Sequence, residues 1–195
     1  MGSLPDFFRY LASTPEADAW GVVVTGAGRF SALPRQGYPP KGHPPDHAFS
    51  WENGRVLGAF QIVYLTEGSG EFDSAATGRV PVNAGTALLL FPGEWHRYRP
   101  NDDSGWVENW VELGGPMTGR ILATKGLSPE KPVVVIDRRL ELETQIDSIH
   151  RKVASLPSAN APELAAHALM ALAILHDPPA EHAAYRPVAS AVDHG

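Results

Sequence analysis

The sequence predicts an α+β fold that is mainly β, in which a barrel of short strands is followed by an α-helical hairpin. The chain has 195 residues, of which 43% are hydrophobic, and this is enough for one sizeable core. Its 19 glycines and 18 prolines fall between short strand-like runs and indicate many turns. After residue 136 apolar residues recur at steps of three and four, which is typical of helices.

The barrel is predicted from seven short strand-like runs. They follow one another too closely for helical crossovers, so an antiparallel barrel is the economical arrangement. The runs are residues 20–25, 60–66, 70–73, 79–82, 86–91, 106–113 and 133–136. Residues 34–54, which we call the proline-rich segment, contain five prolines and are expected to form an ordered, irregular connection over the surface.

The predicted hairpin consists of an amphipathic helix after Asp137 and a more uniformly apolar helix over residues 163–176. The first helix carries one apolar stripe, formed by Leu142, Ile146, Ile149, Val153 and Leu156. Such a stripe must be covered, either by the barrel or by the same stripe of a second chain. Spacing alone leaves both possibilities open; we favour a homodimer that forms through these residues.

Changes in composition divide the chain into four parts. These are an N-terminal helix or arm at residues 1–19, with its helix near 7–11, the barrel at 20–136, the helical hairpin at 137–176 and a linker at 177–195. Residues 187–194 resemble the first turns of another helix. We therefore expect the linker to lead towards a further domain.

Composition excludes several classes of protein. There is no cysteine, which rules out disulfides, thiolate metal sites and cysteine nucleophiles. The net charge is −6 and no Lys/Arg run exceeds the pair at 138–139, so we expect no direct binding to DNA. The N-terminus lacks a signal-peptide pattern, and Glu163 and His167 interrupt the longest apolar stretch. We expect a cytoplasmic protein that does not bind membranes.

Residues 106–113 combine aromatic and acidic side chains on one face of a predicted strand. The two-residue period of a strand places Trp106, Glu108, Trp110 and Glu112 on one side and Val107, Asn109, Val111 and Leu113 on the other. Indoles beside carboxylates suit a polar ligand whose C–H surface packs on a ring while its hydroxyls meet charged acceptors. The alternative is that the tryptophans serve core packing or a dimer contact.

The turn before this strand resembles the second signature of the cupin barrels. That signature is a glycine, a short strand and then Pro-x-Gly-x-x-His; here Gly85 and residues 92–96 match it, although the residue between proline and glycine is missing. A tight turn of this kind reverses the chain and aims His96 and Tyr98 into the barrel. The resemblance implies a cupin-like double-stranded β-helix, or jelly-roll, barrel.

Metal binding is the obvious hypothesis for a cupin. A metallo-cupin supplies His-x-His and a glutamate from its first signature, whereas residues 58–74 contain no histidine. His96 is then one candidate ligand, with His43 and His47 available from the proline-rich segment, and a closed site needs three or four ligands. We therefore predict no metal, no cofactor and no catalytic residues, since no nucleophile or acid–base pair is identifiable.

Residues 55–115 resemble the N-terminal effector-binding and dimerisation domain of the arabinose-type (AraC family) transcription regulators. The resemblance rests on Tyr-Leu-Thr-x-Gly-x-Gly at 64–70, an Ala-Gly-Thr turn at 84–86, Leu-Phe-Pro-Gly-x-x-His-x-Tyr at 90–98 and Gly-Trp-x-x-x-Trp-Val at 105–111. Members of the family also associate through helices such as the predicted hairpin. They continue into two helix-turn-helix motifs, so we expect this chain to be a sensor portion that reaches DNA only through a domain it lacks.

The resemblance also implies a ligand site inside the barrel. Tyr98 and Trp110 fall where the arabinose regulator holds its sugar, with the tryptophan stacked on the apolar face of the ring. Glu108 replaces a family histidine, which allows a different effector, and Arg55 lies near the position of the arginine that caps the sugar's hydroxyls. The predicted ligand-binding residues are Trp110, Tyr98, His96, Glu108, Trp106 and Arg55.

The expected function is the sensing of a small polar molecule, a sugar or a sugar derivative. Its binding would favour one arrangement of barrel, arm and linker and so reach the DNA-binding domain. One alternative is a cupin enzyme, such as a metal-dependent sugar isomerase or oxygenase. The other is a dimerisation module whose pocket is filled by its own side chains.

Overall fold

The computed structural model describes residues 4–124, 126–155 and 161–176. In chain order the elements are β1 (Phe7–Tyr10), α1 (Pro15–Ala19), β2 (Val23–Ala32), β3 (Arg55–Val56), β4 (Phe60–Ser74), β5 (Gly78–Asn83), β6 (Thr86–Leu90), β7 (Trp95–Pro100), β8 (Trp106–Gly114), α2 (Thr118–Leu122), β9 (Val133–Val135), α3 (Arg139–Ser155) and α4 (Ala161–His176). The predicted α+β, mainly β fold with a helical hairpin is confirmed. Among these helices, none is both long and apolar enough to span a bilayer. The linker predicted at 177–195 lies outside the described residues.

The long strand β4 takes part in two antiparallel sheets. Its first half, from Phe60 to Leu65, pairs with β8 and β6, and its second half, from Ser69 to Ser74, pairs with β7 and β5. A register shift between Leu65 and Glu67 marks the place where the strand passes from one sheet to the other. The first sheet has the order β1-β2-β8-β4-β6-β9, and the second consists of β3, β7, β4 and β5.

The first sheet is the middle layer of the molecule, because each of its faces belongs to an apolar core. On the outer face Ile62 of β4 clusters with Ile146 of α3. On the inner face Val63 and Trp106 cluster with Phe72 from the half of β4 that lies in the second sheet. This arrangement explains why β8 is buried on both faces, and it leaves the indole face of β8 for the space between the sheets.

The apolar stripe of α3 is buried within the chain itself. Leu142, Ile149 and Val153 are fully buried and Ile146 is only 2% exposed, and all four pack with the first sheet and α4. Within the chain, the first sheet and α4 therefore cover these four residues, as one of the two alternatives left open by the sequence proposes. Leu156, the fifth predicted dimer residue, lies outside the described residues. The association of two chains stays a prediction.

Two local predictions are wrong. The helix expected near residues 7–11 is strand β1, which pairs with β2, and the helix of this region is α1, capped by Thr14 with a proline in its first turn. The two strands expected at 60–66 and 70–73 are the single strand β4. Gly68, at φ 76°, adopts a conformation that favours glycine, so the chain turns between the sheets without ending the strand.

Candidate functional site

The six predicted ligand-binding residues all lie between the two sheets. Arg55 comes from β3, His96 and Tyr98 from β7, and Trp106, Glu108 and Trp110 from β8. Alternate residues of β7 and β8 face this interior, as the two-residue period predicts. The five residues from β7 and β8 are each 5% exposed or less. Strands β7 and β8 therefore both direct polar and aromatic side chains into the same interior.

Arg55 is the centre of a hydrogen-bond network in this interior. Its Nη2 donates to the hydroxyl of Tyr98 at 2.7 Å and to Oε1 of Gln61 at 3.0 Å. Its Nε donates to Nε2 of His96 at 3.2 Å, and the Nδ1 of that histidine lies 3.0 Å from the carbonyl oxygen of Glu94. His96 therefore carries its proton on Nδ1 and accepts from Arg55 with Nε2. The guanidinium also lies over the ring of Phe49, 4.7 Å from its centroid.

Burial changes the titration of these groups. It lowers the pKa of His96 to about 4, with a further contribution from the charge of Arg55, so the imidazole is neutral. Burial raises the pKa of Glu108 to about 7, although hydrogen bonding and the charge of Arg55 oppose the rise. It also raises the pKa of Tyr98 to about 12. A carboxyl group that titrates near neutral pH thus lies in the same interior as a permanent cation.

The two tryptophans of β8 pack flat on glycine backbone. A Cβ placed on Gly28 would lie 2.7 Å from atoms of the Trp110 indole, and one on Gly70 would lie 2.5 Å from the Trp106 ring. Glycine is needed at both positions because only the bare backbone leaves room for the rings. The indole Nε1 of Trp106 is buried and directed towards the Glu108 carboxyl group, where its N–H helps to oppose the rise in the pKa, but it makes no hydrogen bond of ordinary geometry within the described residues. It is a donor that can serve a ligand.

The proline-rich segment reaches into the same interior. The hydroxyl of Tyr38 donates to Oε2 of Glu108 at 2.7 Å. The Nε2 of His47 lies 2.6 Å from Oε2 of Glu112, and the hydrogen bond with that carboxylate raises the pKa of the histidine. The carbonyl oxygen of His47 accepts from Nη1 of Arg55 at 2.6 Å. The segment predicted to cover the surface instead supplies a partner for each of the three charged wall residues.

Strand β1 closes the interior beside Trp110. The Tyr10 ring lies 5.6 Å from that of Trp110, centroid to centroid, and its hydroxyl is 2.8 Å from Nδ1 of His43. Burial lowers the pKa of His43 to about 4, so this bond is made by a neutral imidazole. Trp110 thus has Gly28, Tyr10 and His43 as close neighbours.

Sequence reasoning missed five groups that complete this interior, which are Tyr10, Tyr38, Phe49, Gln61 and the charge pair of His47 with Glu112. Gln61 had a readable signal, since it is the polar member of an otherwise apolar alternation in β4. The aromatic residues of the proline-rich segment had none, because irregular backbone has no period that assigns a side chain to a face.

A family model for the AraC-like ligand-binding domain matches residues 36–175, which is more than half of the chain. The chain belongs to this family. The AraC-like family and the two-sheet topology together confirm the cupin-like jelly-roll fold expected from the sequence. A small-molecule-binding domain is what the family match supports, and the matched range includes every predicted ligand-binding residue as well as the proline-rich segment from residue 36 onward.

Solved structures similar to this AraC-like domain include several cupins. The protein YhaK from Escherichia coli is 14% identical, with 57% of this chain and 46% of that chain covered and a TM-score of 0.40, so the chain spans less than half of it. A cupin protein from Bacteroides fragilis is 14% identical, with 69% and 92% covered and a TM-score of 0.38. A predicted oxalate decarboxylase from Thermotoga maritima is 21% identical, with 54% and 77% covered and a TM-score of 0.35. No curated protein matches the sequence.

A second cavity of this AraC-like domain lies outside the barrel. It has a volume of about 600 Å³ and runs between the outer face of the first sheet and α3. Its lining includes Arg29, Tyr64, Asn109, Glu143 and Asp147. Several of these side chains already bond one another or their neighbours, as in the donation from the Tyr64 hydroxyl to Glu143 at 3.0 Å. A much smaller void of about 10 Å³ lies beside His96 and is lined by residues such as Phe72, Leu90 and Trp95.

Metal ligands are not grouped in the described part of the chain. Within residues 4–124, 126–155 and 161–176, no set of three or more His, Asp or Glu side chains is arranged to hold a metal ion. His96 bonds Arg55 and the Glu94 carbonyl, and His47 bonds Glu112, so these histidines already have protein partners.

Proposed function

We propose that this AraC-like domain is the sensory part of a transcription regulator and binds a sugar or sugar derivative in the barrel interior. The observation that carries the proposal is the convergence of Arg55, Glu108 and Glu112 with Trp110 in one enclosed space. Charged groups that hydrogen-bond hydroxyls, beside an indole that packs on C–H surface, are the combination that a polar ring-shaped ligand requires.

Strand β1 and helix α3 provide the route by which occupancy reaches the rest of the regulator. Tyr10 of β1 contacts Trp110 in the interior, while Arg9, the next residue, donates from Nη1 to the carbonyl oxygen of Val153 in α3 at 2.7 Å. A ligand that moves Tyr10 therefore changes how β1 packs on α3. It shifts the population only to the extent that it binds the two arrangements with different affinity. The receiving DNA-binding domain is the one that the family resemblance implies.

We further propose that two copies associate through α4 rather than through the stripe of α3. The exposed residues of α4 include Ala166, Leu169, Met170 and Ala173, which are spaced at three and four and form one apolar face. Leu169 is 41% and Met170 50% exposed. A second copy of this helix would cover that face by isologous packing.

We propose that the domain binds its ligand without catalysing a reaction on it. Its interior histidine, His96, is neutral and held between Arg55 and a carbonyl, so it is not poised as a base beside a nucleophile. The rival is a metal-dependent cupin enzyme. Metal analysis of the purified protein decides between them, since one equivalent of a transition metal lost in the variant His96→Gln would favour the enzyme.

The test of the proposed function is a thermal-shift panel followed by calorimetry. The panel contains arabinose, glucose, galactose, rhamnose and their acid derivatives, because a ligand that binds only the folded state must raise the melting temperature. For any hit, Trp110→Ala should weaken binding about tenfold through the loss of ring stacking. Trp20→Ala is the control, since Trp20 is 52% exposed. Equal affinity in the wild type and Trp110→Ala would contradict the site.

A second candidate function is favoured by one observation. Tyr38, His47 and Phe49 already occupy the interior, as they would in a dimerisation module whose barrel is filled by its own side chains. Such a module would show no thermal shift with any compound. A response to one compound that disappears in Trp110→Ala would decide for the sensor.

A further inference from the structure

The charge of Arg55 has no carboxylate partner in contact. Its bonds go to the Tyr98 hydroxyl, the Gln61 amide oxygen, the His96 ring nitrogen and the His47 carbonyl oxygen, which are all neutral acceptors. Among the described residues it forms no ion pair, whereas Arg97 and Arg99 on the outside of the barrel are each paired with a carboxylate. A partly buried cation without a counterion is costly, and a carboxylate held bidentately is the partner that suits a guanidinium best.

The other charged groups of the interior make no direct contact with Arg55, and each has its own partner. Glu112 is engaged by His47 at 2.6 Å and by the hydroxyl of Thr25 at 2.8 Å. Glu108 accepts a hydrogen bond from Tyr38. Because burial raises its pKa to about 7, its carboxyl group is only partly ionised at neutral pH. The His47 ring lies between two carboxylates, with Nε2 2.6 Å from Glu112 and Nδ1 3.0 Å from Asp46, and these contacts raise its pKa. Arg55 is therefore left without a carboxylate in contact, while the two carboxyl groups take their donors from Tyr38, His47 and Thr25.

The proline-rich segment shows which groups the wall requires. It presents one acceptor to Arg55, the carbonyl of His47, and two donors, the Tyr38 hydroxyl to Glu108 and the His47 imidazole to Glu112. A ligand that replaces the segment must satisfy the same three wall residues, because leaving any of them unpaired costs the full desolvation of a charged group.

Building on the proposed function, we infer that the ligand is a sugar acid rather than a neutral sugar. Its carboxylate pairs with Arg55 in place of the His47 carbonyl, and its hydroxyls donate to Glu108 and Glu112 in place of Tyr38 and the His47 ring. Its C–H face packs on Trp110. The Nε1 of Trp106, which makes no hydrogen bond of ordinary geometry within the described residues, provides one more donor for an oxygen of the ligand. Binding exchanges the proline-rich segment for the ligand.

The experiment compares acids with their neutral counterparts by calorimetry on the intact chain. The probes are glucuronate against glucose, galacturonate against galactose and mannuronate against mannose, in which the acid keeps the sugar ring, with the wild type, Arg55→Gln, Arg55→Lys and the control Trp20→Ala. We expect at least one acid to bind the wild type at least about tenfold more tightly than its neutral partner. Arg55→Gln should remove that preference and Arg55→Lys should keep part of it, since lysine keeps the charge without the bidentate geometry.

The outcomes separate this inference from the proposed function. If a neutral sugar binds as tightly as its acid, the inference is overturned and the sensor of a sugar remains. If the acids bind but keep their preference in Arg55→Gln, the carboxylate lies elsewhere and the inference is also overturned. If none of the six probes binds, the inference fails, and the wider panel decides the proposed function separately. The comparison of acid and neutral ligand in the wild type stands even if Arg55→Gln does not fold.

Discussion

Glu108 lies inside the barrel with its carboxyl group between Tyr38 and the charge of Arg55. Burial penalises the ionised form, so the pKa rises from 4.5 to about 7. In the unfolded chain the group ionises at the ordinary value. Above about pH 4.5 ionisation therefore favours the unfolded state, and this stability loss is complete once the pH has passed 7.

The variant Glu108→Gln should therefore gain stability relative to the wild type as the pH rises from 4.5 to 7. The amide keeps an acceptor for Tyr38 and carries no charge, so the difference in the free energy of unfolding should grow by something on the order of 3 kcal/mol. Urea titrations of both proteins at pH 4.5, 6 and 8 measure it. A difference that does not change with pH would mean that Glu108 is not buried as a carboxyl group.

His150 connects helix α3 to the strand that carries Trp110. Its Nε2 donates to the carbonyl oxygen of Trp110 at 3.1 Å, and its ring meets Phe7 of β1 edge-on, 5.3 Å between centroids. Burial lowers its pKa to about 4. Because the unfolded histidine takes up a proton below about pH 6.5, the stability that the neutral form provides is present above 6.5 and is lost as the pH falls towards 4.

The replacement of His150 by glutamine should make the protein less sensitive to acid. Glutamine keeps an N–H donor for the Trp110 carbonyl but does not titrate, so thermal unfolding should fall less steeply between pH 6.5 and 4 than in the wild type. His150→Leu is the matched variant that loses the hydrogen bond, and it should cost about 1–3 kcal/mol at pH 7. Identical pH profiles for the wild type and His150→Gln would be the contrary result.

At the level of single residues, the sequence predicted the wall of the site but not its contents. The alternation of β8 assigned Trp106, Glu108 and Trp110 to one face, and a strand has no other way to arrange them. Tyr38 and Phe49 could not be placed, because their segment has no repeating geometry and its position depends on contacts with residues far away in the chain.

Among the elements, the proline-rich segment is held at its end by a tryptophan. Trp51 lies on the outside of the second sheet, where the guanidinium groups of Arg97 and Arg99 are 4.4 Å and 4.0 Å from its ring centroid. Arg97 also donates to the carbonyl oxygen of Trp51 at 2.7 Å. The anchor fixes the end of the segment just before Arg55, so it also sets where His47 and Phe49 enter the barrel.

Loss of this anchor should loosen the segment without unfolding the barrel. In Trp51→Ala the amide hydrogens of residues 36–50 should exchange faster, while those of β4 and β8 keep their protection. Hydrogen exchange followed by mass spectrometry measures both, with Trp20→Ala as the control. Unchanged exchange in residues 36–50 would show that the interior contacts alone hold the segment.

The two helices of the hairpin should respond to substitution in opposite ways. Ile149→Ala removes a fully buried side chain of α3 and should cost about 2–5 kcal/mol of stability. Met170→Glu changes a half-exposed residue of α4 and should leave the stability nearly intact but convert a dimer into a monomer. Denaturant titration and analytical ultracentrifugation separate the two effects. A monomer shift in the α3 variant alone would restore the dimer contact expected from the sequence.

Elements with a clear period were predictable, and elements set by their neighbours were not. The stripe of α3 and the strand β8 follow from spacing alone. The spacing of apolar residues in α3 does not indicate whether the sheet or a second chain covers the helix, since both offer an apolar surface. Strand β1 was mistaken for a helix because four residues are too few to show a period, and its pairing with β2 decides its conformation.

For the whole molecule, the first sheet separates two spaces that could hold a ligand. One is the barrel interior, which has the charged and aromatic groups but is occupied by the proline-rich segment. The other is the cavity of about 600 Å³ between the sheet and α3, which has room. We place the ligand in the barrel because Arg55 bonds only neutral acceptors there and has no carboxylate in contact. The sequence motifs also indicated the barrel side of the first sheet, since the cupin-like turn leads into β7 and the alternation of tryptophan and glutamate lies on β8.

The most direct test is a crystal structure of the protein with whichever compound of the panel raises its melting temperature most. We expect electron density between Arg55 and Trp110, with Tyr38 and Phe49 displaced from their present positions. Density in the cavity under α3, with Tyr38 still bonded to Glu108, would contradict this expectation.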